Sequence, residues 1–172
     1  SARAVLSGAV VPRVLGLDRA NLDEVHVATL REVLSAARAT VVDFATSLEY
    51  RAAHIPGAWF AVRSRLRDAL ARIGPAQRFV FTSPDGILAQ LAALDAAGLI
   101  DAPVAVLAGG TRAWKAAGLP LEEGNTRLAA ETDDVYYKPY DRQAQIEQAM
   151  QDYLDWEVAL VERPGLVAAE RR

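Results

Sequence analysis

"VVDFATSLEYRAAHIPGAW", residues 41–59, carries three local signals in succession. The run TVVDF at 40–44 is short, apolar and rich in β-branched residues, the pattern of a strand buried in a parallel sheet. Thr46 followed three positions later by Glu49 is a capping box, opening a short helix through Ala53. Pro56-Gly57 then turns the chain into another short extended piece, IPGAWF at 55–60. Strand, helix, turn and strand in quick succession open an α/β layer structure.

The alternation continues outward. Upstream, TLREVLSAAR at 29–38 is expected to be a helix capped by Thr29 and Glu32, with Leu30, Val33, Leu34 and Ala37 on one face. Downstream, 64–73 is an amphipathic helix with Leu66, Ala69, Leu70 and Ile73 inward, stopped at Gly74-Pro75. RFVFT at 78–82 reads as a strand, ILAQLAALDAA at 87–97 as a helix ended by Gly98, and PVAVLAG at 103–109 as a strand. TRAWKAA at 111–117 is a short helix ended by Gly118. The pattern predicts one mainly parallel sheet flanked by helices, with no internal repeat.

Beyond Gly124 the composition changes. ETDDVYYKPY at 131–140 sets three tyrosines around a proline and is not a helical pattern. A long helical pattern opens at Asp141, with Ile146, Met150, Tyr153, Leu160 and Val161 on one stripe and Trp156 at its margin, ending at Pro164-Gly165. That stripe is expected to be buried on the chain's own domain, together with at least one of Tyr136, Tyr137 and Tyr140, or else against a neighbouring domain or second copy. The expected organisation is an amino-terminal arm or linker at 1–24, a domain at 25–124, and a tyrosine-rich segment with a carboxyl-terminal helix at 125–172.

Composition narrows the chemistry. The chain has 172 residues, 52% of them apolar, and a net charge of −3, so it holds one domain with a real core and has no electrostatic reason to bind nucleic acid. Gln90, Asp95 and Asp101 interrupt the longest apolar region, short of the roughly 18 residues a membrane span needs. The first residues lack the basic start and continuous apolar stretch of a secretory signal, so a cytoplasmic location is expected; without an initiator Met, the chain reads as a piece of a longer protein. Cysteine is absent, which excludes disulfides, thiolate metal sites and a cysteine nucleophile. His26 and His54 are too few and too far apart to suggest a zinc site, and neither a metal nor a cofactor is expected.

The block opened above resembles the first conserved block of the rhodanese (thiosulfate sulfurtransferase) family, matching it at Asp43, Glu49, Tyr50, His54, Ile55, Pro56, Gly57 and Ala58. VLAGGTRAWKAAGLP at 106–120 is similar to the second, at Gly109, Gly110, Trp114, Gly118, Leu119 and Pro120. The resemblance covers roughly 25–124 and, with the alternation, implies an α/β fold with a central, mainly parallel sheet of about five strands; the blocks it rests on are scaffold. Pro56-Gly57 makes a turn, His54 reads as a hydrogen-bonded scaffold residue, Gly109-Gly110 lets the backbone turn tightly, and Trp114 reads as core.

In this family the loop after the central strand carries a cysteine that becomes a persulfide, and backbone N–H groups at a helix N-terminus hold the anion. Aligned on Gly86, that loop is Ser83, Pro84, Asp85, Gly86, Ile87 and Leu88 here, with Ser83 at the cysteine position and Leu88 at a commonly basic one. A serine hydroxyl forms no persulfide and needs a base to ionise; Pro84 has no N–H; Asp85 opposes an anionic donor; and Leu88 supplies no charge. Ala45 stands where the family has an arginine that pairs with acidic scaffold residues. Ser-Pro-Asp-Gly fits a type I turn, with Pro second and Gly fourth. The resemblance thus implies a rhodanese-like domain without its catalytic cysteine, non-catalytic and used for regulation, docking or structure. Its implied partners are other rhodanese domains of the same chain or a second copy. The alternatives are an active sulfurtransferase carrying serine in place of cysteine, and a serine hydrolase at Ser83, which lacks the Gly-x-Ser-x-Gly elbow. A phosphatase of related fold would need a cysteine and a loop arginine, both absent.

Overall fold

The protein is described by a computed structural model over residues 14–17, 21–138 and 146–161. Contacts divide the chain into two units, Ser1–Glu131 and Thr132–Arg172.

The first unit is built on five strands: β1 (Asp23–Val25), β2 (Thr40–Asp43), β3 (Trp59–Phe60), β4 (Phe79–Thr82) and β5 (Val104–Leu107). They form one sheet in the order β1-β5-β4-β2-β3. Every pairing is parallel. The central strands are apolar because both faces are covered, so each buries residues of both parities. Val42, Phe79, Phe81 and Val106 point into a cluster with Leu66, Leu70, Ala89 and Ala92. Val41, Val80, Ala105 and Leu107 point the other way, into a cluster with Leu30, Tyr50, Ile55 and Trp114.

The helices supply those covers. They are α1 (Val27–Ser35), α2 (Ser47–Ala52), α3 (Leu66–Ile73), α4 (Ile87–Ala96) and α5 (Gly110–Ala116). Helix α2 starts as expected: Thr46 and Glu49 form a reciprocal capping box. Helix α1 does not. Its N-cap is His26, and the Leu30 amide donates to the His26 carbonyl at 2.9 Å, so Thr29 lies inside the first turn. A Thr-x-x-Glu spacing also occurs within a helix, and burying Leu30 draws the start back by a turn.

Two boundaries move. Asp23 and Glu24, in the segment read as an arm, belong to β1. At the other end the first unit continues past Gly124. The Phe60 amide donates to the Arg127 carbonyl at 2.8 Å and the Ala129 amide to the Phe60 carbonyl at 2.9 Å, so this segment lines the β3 edge. Ala129 and Ala130 are buried there.

In the second unit, 132–138 is irregular, and α6 spans Ile146–Val161. Of the apolar stripe, Met150 and Tyr153 are exposed, as is Trp156 at its margin, at 57%; Leu154 and Val158 are exposed too. Tyr136 is exposed and Tyr137 partly buried. Tyr140, residues 141–145, Pro164-Gly165 and the side chains of Ile146, Leu160 and Val161 lie outside the described residues.

Candidate functional site

The loop 83–88 leaves the carboxyl end of β4, which pairs with β2 on one side and β5 on the other. In open α/β sheets ligands bind at that end of the strands. Three side chains there come from three elements. Asp43 ends β2, Thr82 ends β4, and Thr111 is the second residue of α5. The two threonine hydroxyls lie 3.0 Å apart, and Thr111 Oγ1 donates to Asp43 Oδ2 at 3.3 Å. The other Asp43 oxygen accepts from the Ala45 amide at 2.9 Å. Asp43 is fully buried, and burial outweighs those hydrogen bonds, pushing its carboxyl up to about 6.

The loop is closed on itself. The Gly86 amide donates to the Ser83 carbonyl at 3.3 Å, closing the four-residue turn around Pro84 and Asp85. The Ile87 amide donates to Asp85 Oδ1 at 3.0 Å, and the Ala89 amide to Ser83 Oγ at 3.2 Å. Helix α4 therefore begins with its amides bound to the loop's own oxygens, where an anion would otherwise be held. Gly86 takes a left-handed conformation, with φ 85°. Ser83 is fully buried, while Leu88 is exposed at 38%.

Helix α5 seals the loop from above. The Thr111 amide donates to the Ser83 carbonyl at 2.9 Å and the Arg112 amide to the Pro84 carbonyl at 3.1 Å. Gly109 and Gly110 both have positive φ, at 71° and 65°, which carries the chain from β5 onto the loop at close range. Beside the seal a cleft of about 230 Å³ is lined by Asp43, Ala45, Glu49, Pro84, Thr111, Arg112, Lys115 and Leu121 among others; Ser83 does not line it.

The other residues singled out from the sequence hold the frame. His54 is fully buried, its ring stacked on Tyr50 with centroids 3.8 Å apart. Its nitrogens lie 2.7 Å from the Tyr50 carbonyl and 3.2 Å from Thr126 Oγ1. After Pro56, the Gly57 amide donates to Glu122 Oε2 at 2.8 Å, and that bond holds the Glu122 carboxyl below its ordinary value. Glu49 is committed to the cap of α2. Trp114 is buried and donates from Nε1 to the Pro120 carbonyl at 2.8 Å. The structure thus brings Asp43, Ser83 and Gly110 together and leaves His54, Gly57 and Trp114 as supports. Thr82, Thr111 and Arg112 were not singled out from the sequence. Their signal was positional: each follows or closes a strand at the site end of the sheet.

The comparisons agree with this geometry. The rhodanese-like domain family matches residues 26–117, more than half of the chain. The crystal structure of thiosulfate sulfurtransferase from Pseudomonas aeruginosa is similar with a TM-score of 0.76 and 41% identity, covering 91% of this chain and 29% of that one. The chain therefore spans less than a third of that protein's length. A protein of unknown function from Rhodopseudomonas palustris, described as a possible tyrosine phosphatase, is similar with a TM-score of 0.55 and 27% identity, over 66% of this chain and 100% of that one. The Alr3790 protein from Anabaena sp., at 20% identity and a TM-score of 0.54 over 76% of this chain and 90% of that one, shares the fold. No curated relative matches the chain. With a parallel five-stranded sheet and a family match over most of it, this chain belongs to the rhodanese-like domain family.

Proposed function

We propose that this chain is a catalytically silent rhodanese-like unit of a longer sulfurtransferase, acting as a structural or docking element. One observation carries the reading: Ser83, which the resemblance aligns with the family's persulfide cysteine, is fully buried and its hydroxyl is bound by the Ala89 amide. Sulfur transfer of the family's kind needs a thiolate there, and the chain has no cysteine at all. The loop's amides are supplied with internal acceptors, Asp85 above all, which favours a turn over an anion cradle.

The other readings have less support. A serine nucleophile needs a base, and His54, the buried histidine, is bonded to the Tyr50 carbonyl and Thr126 instead. A phosphatase reading, suggested by the Rhodopseudomonas palustris protein, meets a loop with neither cysteine nor arginine at 83–88. An active sulfurtransferase altered only at its cysteine would keep the rest of an anion-binding loop, whereas Pro84, Asp85 and Leu88 all work against one.

The test is thiocyanate production from thiosulfate and cyanide. The account expects no protein-dependent rate from this chain. A saturable rate proportional to protein would overturn it.

A further inference from the structure

Helix α6 has two unlike faces. On one, Gln148 and Gln151 donate to Asp152 and Asp155, each at 2.8 Å, so side chains one turn apart satisfy one another in water. The other side carries Met150, Tyr153, Leu154 and Trp156, all exposed, Trp156 at 57%, with Val158 at its edge at 58%. The Tyr153 and Trp156 rings lie 6.1 Å apart and pair within it. Large contiguous apolar patches on soluble proteins mark interaction sites.

We propose that this face docks into an apolar groove, rimmed by lysine or arginine, on another folded unit of the same longer polypeptide. The proposal rests on the reading of the chain as one unit of a longer sulfurtransferase, and two observations choose the occupant. The first unit, Ser1–Glu131, makes up about three quarters of the chain, so a likeness to the Pseudomonas aeruginosa enzyme over 91% of it runs into the second unit. That enzyme is more than three times as long as the matched stretch, so folded chain of the same polypeptide is available to cover the helix. The second observation is charge. From Ile146 to Val161 the helix carries Glu147, Asp152, Asp155 and Glu157 and no lysine or arginine. Glu147 and Glu157 project from the same side as the apolar residues, so pairing with a second copy of α6 would set carboxylates against carboxylates, while lysine or arginine around the groove complements them.

The test compares hydrogen exchange over residues 146–161 in this chain and in the natural polypeptide that contains it. Exchange should slow by about tenfold or more in the longer polypeptide. Leu154→Asp should abolish that protection, Gln148→Ala on the opposite face should keep it, and Leu154→Asp should leave the melting temperature of this chain unchanged. Equal exchange in both proteins, or a natural polypeptide with no further folded unit, overturns the proposal. So does dimerisation of this chain that Leu154→Asp removes, which assigns the face to a second copy, or a fall in this chain's own melting temperature. Thiocyanate production by this chain would defeat the silent-unit reading alone, because protection of α6 is read independently of activity.

Discussion

Gly110 lies so close to Ser83 that a Cβ built on it would overlap the Ser83 carbonyl oxygen, and would sit 2.5 Å from the Gly86 amide nitrogen. The loop at 83–88 and the start of α5 are therefore one packed object. Gly110→Ala should cost both the strain of a positive φ and the displacement of the loop, about 2 to 5 kcal/mol together. Gly124→Ala, also at positive φ but with nothing within 4 Å, isolates the strain. Thermal melts of the two variants should differ clearly, and equal losses would contradict the packing.

Asp43 gives the chain an unusual pH response. Its carboxyl is raised from 3.8 to about 6, so between about pH 4 and 6 the folded state holds a proton that the unfolded state has released. Stability from this group is greatest at low pH, falls as pH rises through that window and levels off above it, with a total of about 3 kcal/mol. Glu122, held below its ordinary value, works the other way, losing stability as pH falls. Asp43→Asn separates them, because asparagine keeps an oxygen for the Ala45 amide and offers a donor to Thr111. Denaturant melts from pH 4 to 8 should show a flatter profile for the variant and equal or greater stability at pH 7. Parallel profiles would remove Asp43 from the account.

The edge of the sheet at β3 makes a prediction about length. Residues 126–130 receive Phe60 and return to it, and Arg127 also accepts the Tyr50 hydroxyl at 3.2 Å. A chain ending at Glu131 should melt within a degree or two of the full one. A chain ending at Gly124 loses those hydrogen bonds, at about 1 kcal/mol each, and the burial of Ala129 and Ala130, so it should be less stable by at least about 3 kcal/mol. Equal melting of the two truncations would show that the first unit ends where the composition changes.

Much of this was legible in the sequence, and the exceptions share a cause. Strands β2, β4 and β5 announced themselves because a strand covered on both faces is a short apolar run. Strand β1 did not: of Asp23, Glu24 and Val25 only Val25 is buried, and an edge strand that short shows neither a run nor an alternation. The turn chemistry of Ser83 to Gly86 was readable from Pro and Gly alone. That Asp85 would bind the Ile87 amide, and that Ser83 would turn inward to Ala89, depends on where α4 starts and α5 docks, which no local pattern encodes. The α6 stripe was legible as a stripe, but its cover was not, because an amphipathic pattern states that a face wants covering without naming what covers it.

The most direct test of the central claim is to restore the cysteine alone. A free thiol titrates near 8.5, and sulfur transfer needs it well below that. In Ser83→Cys the Ala89 amide and the start of α4 would favour the thiolate, the helix end by about 0.3 to 1 kcal/mol, less than one pH unit. Full burial and the Asp85 carboxylate act in the other direction, Pro84 withholds a donor, and Leu88 adds no charge. Thiosulfate, an anion, must also reach a position that is sealed beneath α5. The account predicts that Ser83→Cys makes thiocyanate no faster than the parent chain. A rate typical of an active rhodanese from that single change would contradict it, and would mark the loop as competent in all but one atom.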